Sequence, residues 1–314
     1  PLYCMKNCPR CKMISSVTEI LDTALRLGTP RTFAVAVPHE PSILQAIGTA
    51  CSKDLGRAVL VGDIKQMEKI AGESGVDFDD KVTMVQAGDE EAVAACVEKV
   101  KRGEADILVK GLIPTSSFLR RVLQQESGLR TGKLLSHVAV FDAPIYGRPM
   151  ILTDAGINIS PSIHNKVRIV ENAVSAAHAI GIEKPRVAML AAIDKLNYPA
   201  MKATLDAALV SKAVAGGRLA GKAFVEGPFA LDNAVSPSAV ATKKTKGRVA
   251  GKADILCAPE IETANVLYKA LQSFCGVIFA SVVVGAGVPL AVPSRSDSAE
   301  TKLMSIALAC LMDR

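Results

Sequence analysis

Short apolar runs rich in β-branched residues alternate along this chain with longer amphipathic segments. Apolar runs of this length, bounded by Gly, Pro or charged residues, are typical of buried strands. They predict strands at 33–38, 58–62, 106–111, 137–143, 150–155, 186–193, 223–229, 254–260 and, as two strands joined by a turn, within 277–294. The segments between them, such as SVTEILDTALRLG and DEEAVAACVEKVKRG, have helical spacing and end at Gly, which favours helix termination.

The repeated order of strand, helix and strand predicts an α/β fold with a parallel sheet and right-handed crossovers. The best internal break is PIYGRP at 144–149, where two prolines and a glycine separate two predicted strands. No low-complexity linker marks a domain boundary.

Composition narrows the class of protein. The chain has 314 residues, enough for two domains, and 49% of them are hydrophobic, while Trp is absent. A core of Ala, Val, Ile and Leu is typical of helix-covered parallel sheets. The net charge of +6 suits an anionic partner, but the basic residues are dispersed and do not alternate with aromatics, which argues against nucleic acid. No signal-peptide pattern and no apolar run long enough for a membrane helix is visible, so we expect a cytoplasmic protein.

Three cysteines open the chain: Cys4, Cys8 and Cys11, in the spacing C-x3-C-x2-C. This spacing is the one that radical S-adenosylmethionine enzymes use for an iron–sulfur cluster, although there it follows a strand. A zinc site would need a fourth ligand, and no second cysteine pair follows at the distance typical of zinc ribbons. An iron–sulfur or zinc module is therefore one alternative function. The other five cysteines are scattered, which indicates buried, reduced thiols.

The loops that follow predicted strands carry the candidate chemistry, because ligands of open α/β sheets bind beyond the carboxyl ends of the strands. In KGLIPTSSFL, Lys110 ends a strand, and Thr115 and Ser116 stand where a helix begins. The start of a helix attracts anions, so this loop is a candidate phosphate site. The alternative is that these hydroxyls only cap the helix.

Two further loops offer polar side chains. In LTDAGINISP, Asp154 ends a strand and Asn158 precedes a helix; in VEGPFALDN, Asp232 and Asn233 are predicted to lie in a loop before a helix near Ser236. Both loops are candidate substrate-binding segments. The alternative is that their polar residues only cap a helix or form a turn.

A fourth loop, VPSRSDSAE, places Ser294 and Arg295 at the start of the last predicted helix. The guanidinium of Arg295 is a planar fork suited to phosphate. An arginine at the head of a helix is unfavourable there, so an anion is expected to compensate it. Motifs for a P-loop, a zinc protease and an α/β-hydrolase nucleophile are all absent from the sequence.

Taken together, the ordered motifs KGLIPTSSFL, GPFALDNAVS and SRSDSAETK resemble those of the phosphate acetyl/butyryl transferase family, most closely its butyryl branch. The resemblance runs from about Met13 to Leu311. It implies reversible transfer of an acyl group, butyryl or of similar length, between coenzyme A and phosphate. It also implies no metal and no cofactor, coenzyme A being a substrate, and a homodimer or larger homo-oligomer.

The resemblance further implies a two-domain, three-layer αβα fold like that of isocitrate and isopropylmalate dehydrogenases, with the active site in a cleft between domains. We expect a disordered extension at 1–12, one domain from 13–145 plus 290–314, and a second from 146–289. Ser294 and Arg295 match the catalytic pair of the acetyltransferase branch. The resemblance implies that the catalytic carboxylate of that branch corresponds here to Asp297 or Glu300. A same-fold NAD-dependent decarboxylating dehydrogenase is the other alternative.

Overall fold

The computed structural model describes residues 13–143, 146–217 and 219–313. The fold is α/β, with helices and strands alternating along most of the chain. The chain divides into two compact units. One, here called the N/C unit, comprises 17–133 and 278–313; the other, called the central unit, comprises 134–277 together with 13–16.

The N/C unit contains six strands. These are β1 (Arg31–Ala36), β2 (Gly56–Gly62), β3 (Val82–Gln86), β4 (Ile107–Lys110), β10 (Phe279–Val284) and β11 (Leu290–Ala291). Their order in the sheet is β3-β2-β1-β4-β11-β10. Neighbouring strands are parallel from β3 to β11, and only β10 and β11 pair antiparallel.

Six α-helices belong to this unit: α1 (Glu19–Arg26), α2 (Pro41–Ser52), α3 (Ile64–Glu73), α4 (Asp89–Lys101), α5 (Thr115–Val122) and α11 (Ala299–Met312). A short 3₁₀ turn spans Gln125–Ser127. Every residue of α11 from Thr301 to Leu311 is buried, because the helix packs against α1, α2 and β10. A helix that is buried on all sides belongs inside a core, so α11 lies in the core of this unit.

The central unit contains β5 (Ser136–Ala143), β6 (Arg148–Thr153), β7 (Arg186–Leu190), β8 (Phe224–Phe229) and β9 (Ile255–Cys257). Their order is β5-β6-β9-β7-β8. Its helices are α6 (Ile163–Ala179), α7 (Lys202–Ala215), α8 (Leu231–Val235), α9 (Pro237–Lys243) and α10 (Ile261–Cys275). The pair β5 and β6 is antiparallel and the other pairs are parallel.

The expected parallel pairing is confirmed for most neighbouring strands, but the pairs β5–β6 and β10–β11 are antiparallel, so both units have mixed sheets. Two connections, β5 to β6 and β10 to β11, are too short for a crossover helix, so each makes a hairpin. The domain break predicted at 144–149 falls where β5 ends and β6 begins, and both strands belong to the central unit; positions 144 and 145 lie outside the described residues. The units divide at 133/134 and 277/278, whereas the predicted domains divide at 145/146 and 289/290.

Charges at the amino ends of central-unit strands have structural partners. The buried carboxylate of Asp254, just before β9, accepts from the backbone N–H of Arg186 at 2.8 Å and from its Nε at 2.9 Å, and also pairs with Arg148. These groups satisfy one another within the unit. Among the described residues, no helix is long and apolar enough to cross a membrane.

Candidate functional site

Three neighbouring parallel strands of the N/C unit, β1, β4 and β11, end at the same edge of its sheet. Their register pairs Ala36 with Lys110 and Val109 with Ala291. The three loops that follow these strands therefore emerge side by side. They are 37–40, 111–114 and 292–298, and the position is the one where open α/β sheets bind ligands.

The loop after β1 is held by a close approach to the loop after β4. Val37 has a φ of +52°, a strained conformation for a β-branched residue. Its carbonyl accepts from the N–H of Leu112 at 2.7 Å and of His39 at 2.9 Å. A Cβ on Gly111 would lie 2.1 Å from that carbonyl oxygen, so only glycine fits there. This backbone geometry fixes the position of Glu40, the residue just before α2.

Glu40 occupies the N-cap position of α2, but its side chain does not cap the helix. Its carboxylate instead pairs with the ammonium of Lys302, a residue of α11. The side chain of Lys302 is fully buried, and its Nζ also donates to Ser42 Oγ at 2.7 Å. A buried ion pair therefore joins α2 and α11 beside the three loops 37–40, 111–114 and 292–298, which together are here called the loop edge.

Lys110, the last residue of β4, is 3% exposed. Its Nζ donates to the carbonyls of Gly111 at 3.1 Å and Ile113 at 3.3 Å. An ammonium has three N–H donors, so these two bonds leave one for another partner. The pKa of Lys110 is lowered to about 8, and burial is the largest cause. The positive charges of Arg295 and Lys302 contribute to the lowering, while the carboxylates of Glu40 and Asp297 oppose it.

The loop after β11 presents Ser294 and Arg295. Asp297 is buried, and its Oδ2 accepts from the backbone N–H of Ser294 at 2.7 Å, while its own N–H donates to the Ser294 carbonyl at 3.1 Å. These two hydrogen bonds hold the loop in one conformation. Arg295 is exposed, and among the described residues its guanidinium has no hydrogen bond or ion pair. A cation without a counter-ion, fixed at a strand end, is a ready anion ligand.

Glu300 lies in the first turn of α11 and is exposed. The cap of this helix is Ser298, whose Oγ accepts from the N–H of Thr301 at 3.2 Å. Glu300 therefore takes no part in capping. The two candidate carboxylates differ in kind: Asp297 is buried and shapes its loop, whereas Glu300 is open to solvent.

Thr115, Ser116 and Ser117 fill the first three positions of α5. The N-cap is Pro114, and no side chain caps the helix. The alternative reading, in which these hydroxyls serve only as caps, is therefore wrong. The hydroxyl of Ser116 is on an exposed residue, and the first N–H groups of a helix are unpaired by geometry.

In the central unit, Asp154 and Asn158 bind each other. The Asp154 carboxylate accepts from the N–H of Gly156 at 3.1 Å, of Ile157 at 3.0 Å and of Asn158 at 3.3 Å, and from Asn158 Nδ2 at 2.6 Å. Asn158 Nδ2 also donates to the carbonyl of Leu135 at 2.7 Å. Four donors saturate the carboxylate, which favours a structural role over substrate binding.

Asp232 and Asn233 lie in the short helix α8, not in the predicted loop, because the helix begins at Leu231. Asp232 is exposed and pairs with Lys243 at 2.8 Å, which holds the pKa of the carboxyl below its usual value. Asn233 is fully buried and its Nδ2 donates to Asp194 Oδ2 at 2.5 Å. The two neighbours therefore face different surroundings.

Comparison with known proteins identifies the family. A family profile described as "Phosphate acetyl/butaryl transferase" matches residues 72–310. The chain is 44% identical to a phosphate butyryltransferase of Clostridium beijerinckii over 96% of this chain and 98% of that protein.

This chain belongs to the phosphate acetyl/butyryl transferase family. It is also 39% identical to a phosphate acetyltransferase of Thermotoga maritima, over 90% of this chain and 96% of that protein. Among solved structures, it resembles a branched-chain phosphotransacylase from Enterococcus faecalis with a TM-score of 0.78 and 32% identity, covering 90% of this chain and 99% of that one. Relatives named for butyryl transfer and for acetyl transfer therefore each match 90% or more of this chain.

Sequence reasoning missed two charged residues beside the loop edge of this transferase, Glu40 before α2 and Lys302 in α11. A signal existed for each of them. Glu40 follows the strand at 33–38 by the same rule that singled out the other loops, and Lys302 is a lone cation in the apolar stretch KLMSIALACLM. Their contact joins positions 262 residues apart, and no local pattern predicts such a pairing.

The cysteine alternative rests on Cys4, Cys8 and Cys11, which lie outside the described residues. Among the described cysteines, Cys51, Cys96, Cys257 and Cys310 are buried, as expected, but Cys275 is exposed. Burial raises the pKa of Cys96, Cys257 and Cys310 to about 12, so these thiols are protonated and unreactive. Within residues 13–143, 146–217 and 219–313, no cluster of three or more His, Cys, Asp or Glu could hold a metal.

Proposed function

We propose that this transferase moves a short acyl group, butyryl or one of similar size, reversibly between coenzyme A and phosphate. The observation that carries the proposal is the convergence of Ser294, Arg295 and Lys110 at one edge of three adjacent strands. The name of the Clostridium relative supports butyryl as the group transferred. Acetyl is the other candidate, because the Thermotoga relative is named for it.

In this proposal, phosphate is bound by charge at the loop edge. The guanidinium of Arg295 and the third N–H of the Lys110 ammonium would donate hydrogen bonds to phosphate. Thr115 and Ser116 add the unpaired amides and hydroxyls at the start of α5. These donors would neutralise phosphate without a metal, and coenzyme A enters only as a substrate.

The chemical step is attack of a phosphate oxygen on the thioester carbonyl. The carbon–sulfur bond breaks and leaves acyl phosphate and coenzyme A thiolate, which then takes up a proton. Arg295 would stabilise the negative charge on the carbonyl oxygen as the tetrahedral state forms. Ser294 would donate a hydrogen bond to the reacting phosphate or sulfur.

In the reverse direction, the thiol must lose its proton, and a free thiol has a pKa of about 8.5, so a positioned base helps. Asp297 and Glu300 are the two carboxylates proposed for this role. The surroundings of Glu300 favour it as the base, since it is exposed and has no cap to maintain. Asp297 would then act by holding Ser294 and Arg295.

The four central-unit residues Asp154, Asn158, Asp232 and Asn233 were expected to bind substrate. Asp232 is the most accessible of them, and we retain it as a candidate contact for the coenzyme. The mutual bonds of Asp154 and Asn158 support a role in shaping their loop instead.

Three wider expectations belong to the same proposal. A dehydrogenase-like αβα fold is supported by the likeness to a 4-hydroxythreonine-4-phosphate dehydrogenase, with a TM-score of 0.54 at 13% identity. A homo-oligomer is supported by α10, where Val266 is 68% and Phe274 87% exposed. A cytoplasmic location is supported by the proposed reaction, since acyl-coenzyme A is a substrate of intracellular metabolism.

The test is an assay of butyryl-coenzyme A with inorganic phosphate. We expect free thiol to appear in equal amount with acyl phosphate, trapped as its hydroxamate, and both to depend on phosphate concentration. Thiol release that does not depend on phosphate would indicate a hydrolase and refute the proposal.

The acyl group is tested by comparing kcat/KM for acetyl-, propionyl-, butyryl- and branched acyl-coenzyme A. One methylene in an apolar pocket changes kcat/KM by roughly 10- to 200-fold. We expect the maximum at butyryl or a branched chain of similar length. A maximum at acetyl would correct the proposed substrate without changing the reaction.

A further inference from the structure

His39 is a buried histidine of the loop edge that takes no part in the proposed chemistry. It lies in the loop after β1 and is 7% exposed. Its Nε2 accepts a hydrogen bond from the backbone N–H of Asp63 at 3.0 Å. Asp63 follows β2, the parallel neighbour of β1, so this one side chain joins the loops after two adjacent strands.

The bond to Asp63 determines which nitrogen of the ring carries the proton. A nitrogen that accepts from an N–H has no proton of its own, so neutral His39 carries its proton on Nδ1. Nδ1 lies 3.6 Å from Oδ1 of Asp89, the first residue of α4. That distance is too long for a hydrogen bond, so the bond to Asp63 is the contact that holds the ring.

The sequence leaves room for this ring at Gly62. A Cβ on Gly62 would lie 2.6 Å from His39 Nε2, which is closer than side-chain carbons approach. The φ angle of Gly62 is not in the left-handed region, so its backbone does not require glycine. The position of the imidazole therefore explains why glycine stands here.

The backbone beside His39 is strained and is held by several bonds. Val37 has a φ of +52°, which a β-branched residue keeps only where its surroundings enforce it. Its N–H donates to the Val61 carbonyl at 2.8 Å, and its own carbonyl accepts from the N–H of His39 and of Leu112. His39 thus binds the strained turn through its backbone and ties it to the loop after β2 through its ring.

The bond from Leu112 to Val37 connects this turn to Lys110. The Nζ of Lys110 donates to the carbonyls of Gly111 and Ile113, the two residues that flank Leu112. A shift of the turn would therefore move the two carbonyls that direct the ammonium. Hydrogen bonds along the loop edge thus lead from the imidazole to the lysine.

We propose that His39 is a positioning residue of the phosphate site: its bond to Asp63 holds the turn at Val37 in place. That turn fixes the direction in which Lys110 presents its ammonium. The inference rests on the proposed function, in which Lys110 binds phosphate. His39 itself touches no substrate and exchanges no proton in the reaction.

Two substitutions disturb the bond in different ways. His39→Leu puts an apolar side chain of similar size in place of the acceptor. Gly62→Ala keeps the histidine but displaces it, because the new Cβ would overlap Nε2. We expect each variant to raise KM for phosphate by roughly 10- to 100-fold, since a misplacement of about 1 Å costs on the order of 10²-fold. The change in kcat should be smaller, because Lys110 binds phosphate in the ground state and the transition state alike.

His39→Gln is the conservative variant, because its amide oxygen can accept the Asp63 N–H in place of Nε2. It should retain most of the affinity for phosphate. The matched control is Asp63→Ala, which removes the carboxylate that accepts from the Gln66 N–H at 3.0 Å and caps α3. This control keeps the backbone N–H that binds His39. It should lower the melting temperature and leave KM for phosphate unchanged.

The experiment measures kcat and KM for phosphate with butyryl-coenzyme A saturating, KM for butyryl-coenzyme A with phosphate saturating, and the melting temperature of every variant. A rise confined to KM for phosphate in His39→Leu and Gly62→Ala, with recovery in His39→Gln, would support the inference. If His39→Leu did not fold, KM of Gly62→Ala alone decides the question.

Three results would overturn the inference. The first is an unchanged KM for phosphate in His39→Leu or Gly62→Ala. The second is an equal rise in Asp63→Ala, because loss of stability would then explain the effect. The third is a His39→Gln variant as defective as His39→Leu, because the acceptor would then not be the cause. Failure of the proposed function is distinguishable, since the unmodified protein would then show no phosphate-dependent thiol release.

Discussion

Replacing Arg295 by Ala should abolish most activity and leave the fold intact. The structure supports both halves of this prediction. The side chain is exposed and has no hydrogen bond or ion pair within the described part of the chain. Surface changes of this kind alter the free energy of unfolding by no more than about 0.5 kcal/mol. The shape of the loop is held by Asp297 and the backbone of Ser294, which the substitution does not touch.

The expected loss of activity comes from the transition state. Removing one donor to a developing oxyanion typically raises the barrier by about 2.7–4 kcal/mol, or roughly 10²–10³ in kcat. Arg295 would also bind phosphate, so KM for phosphate should rise as well. Arg295→Lys keeps the charge but loses the planar fork, and we expect it to recover only part of the rate.

The assay is phosphate-dependent thiol release, with circular dichroism and thermal melting to verify the fold. Arg57→Ala is the matched control, because Arg57 is an exposed arginine of the same unit placed near the amino end of β2. It should behave like the unmodified protein. If Arg295→Ala kept kcat/KM within about tenfold, a difference below 1.4 kcal/mol, the reasoning about this loop would be refuted.

Four other substitutions test three separate parts of the structure. Asp154→Asn removes the charge that four N–H donors share, so calorimetry should show a loss of about 1.5–3 kcal/mol in unfolding free energy; an unchanged value would contradict the bonding described. Lys166→Met breaks a pair with Asp206 in which both side chains are 5% exposed, and should destabilise by about 3–5 kcal/mol. Lys202→Met removes the exposed partner of the same carboxylate and should cost less than about 1 kcal/mol, so equal losses would count against this account. Glu300→Gln should lower kcat for the reaction of coenzyme A with acyl phosphate without changing the melting temperature. A variant that retained full kcat would exclude Glu300 as the base.

Many strands and helices could be predicted from the sequence, because each of them is marked by the pattern of apolar residues within its own segment. Buried strands such as β1 and β4 are short apolar runs, and the helices between them have a clear period. β3 was missed because it is a half-exposed strand, VTMVQ, without a continuous apolar run. The two strands joined by a turn that were expected within 277–294 are the antiparallel pair β10 and β11. The antiparallel pairing of β5 with β6 was missed, because the apolar pattern of a strand does not show the direction of its neighbour.

The candidate site was predictable only in part. The loops carrying Lys110 and Arg295 follow from the rule that ligands bind at strand ends, and the family motifs strengthen them. The same rule selected Asp154, whose carboxylate turns out to hold its own loop. Asp and Asn serve both purposes with the same atoms, so sequence does not separate a ligand from a turn. Glu40 and Lys302 depend on a contact between distant segments, which only the folded chain shows.

The most direct test of the central claim is a crystal structure of the protein soaked with inorganic phosphate, collected for the unmodified chain and for Arg295→Ala. The account predicts phosphate at the edge formed by β1, β4 and β11, within hydrogen-bond distance of the Arg295 guanidinium and of Lys110 Nζ, and much weaker density in the variant. Phosphate bound only elsewhere, or equally in both proteins, would contradict it.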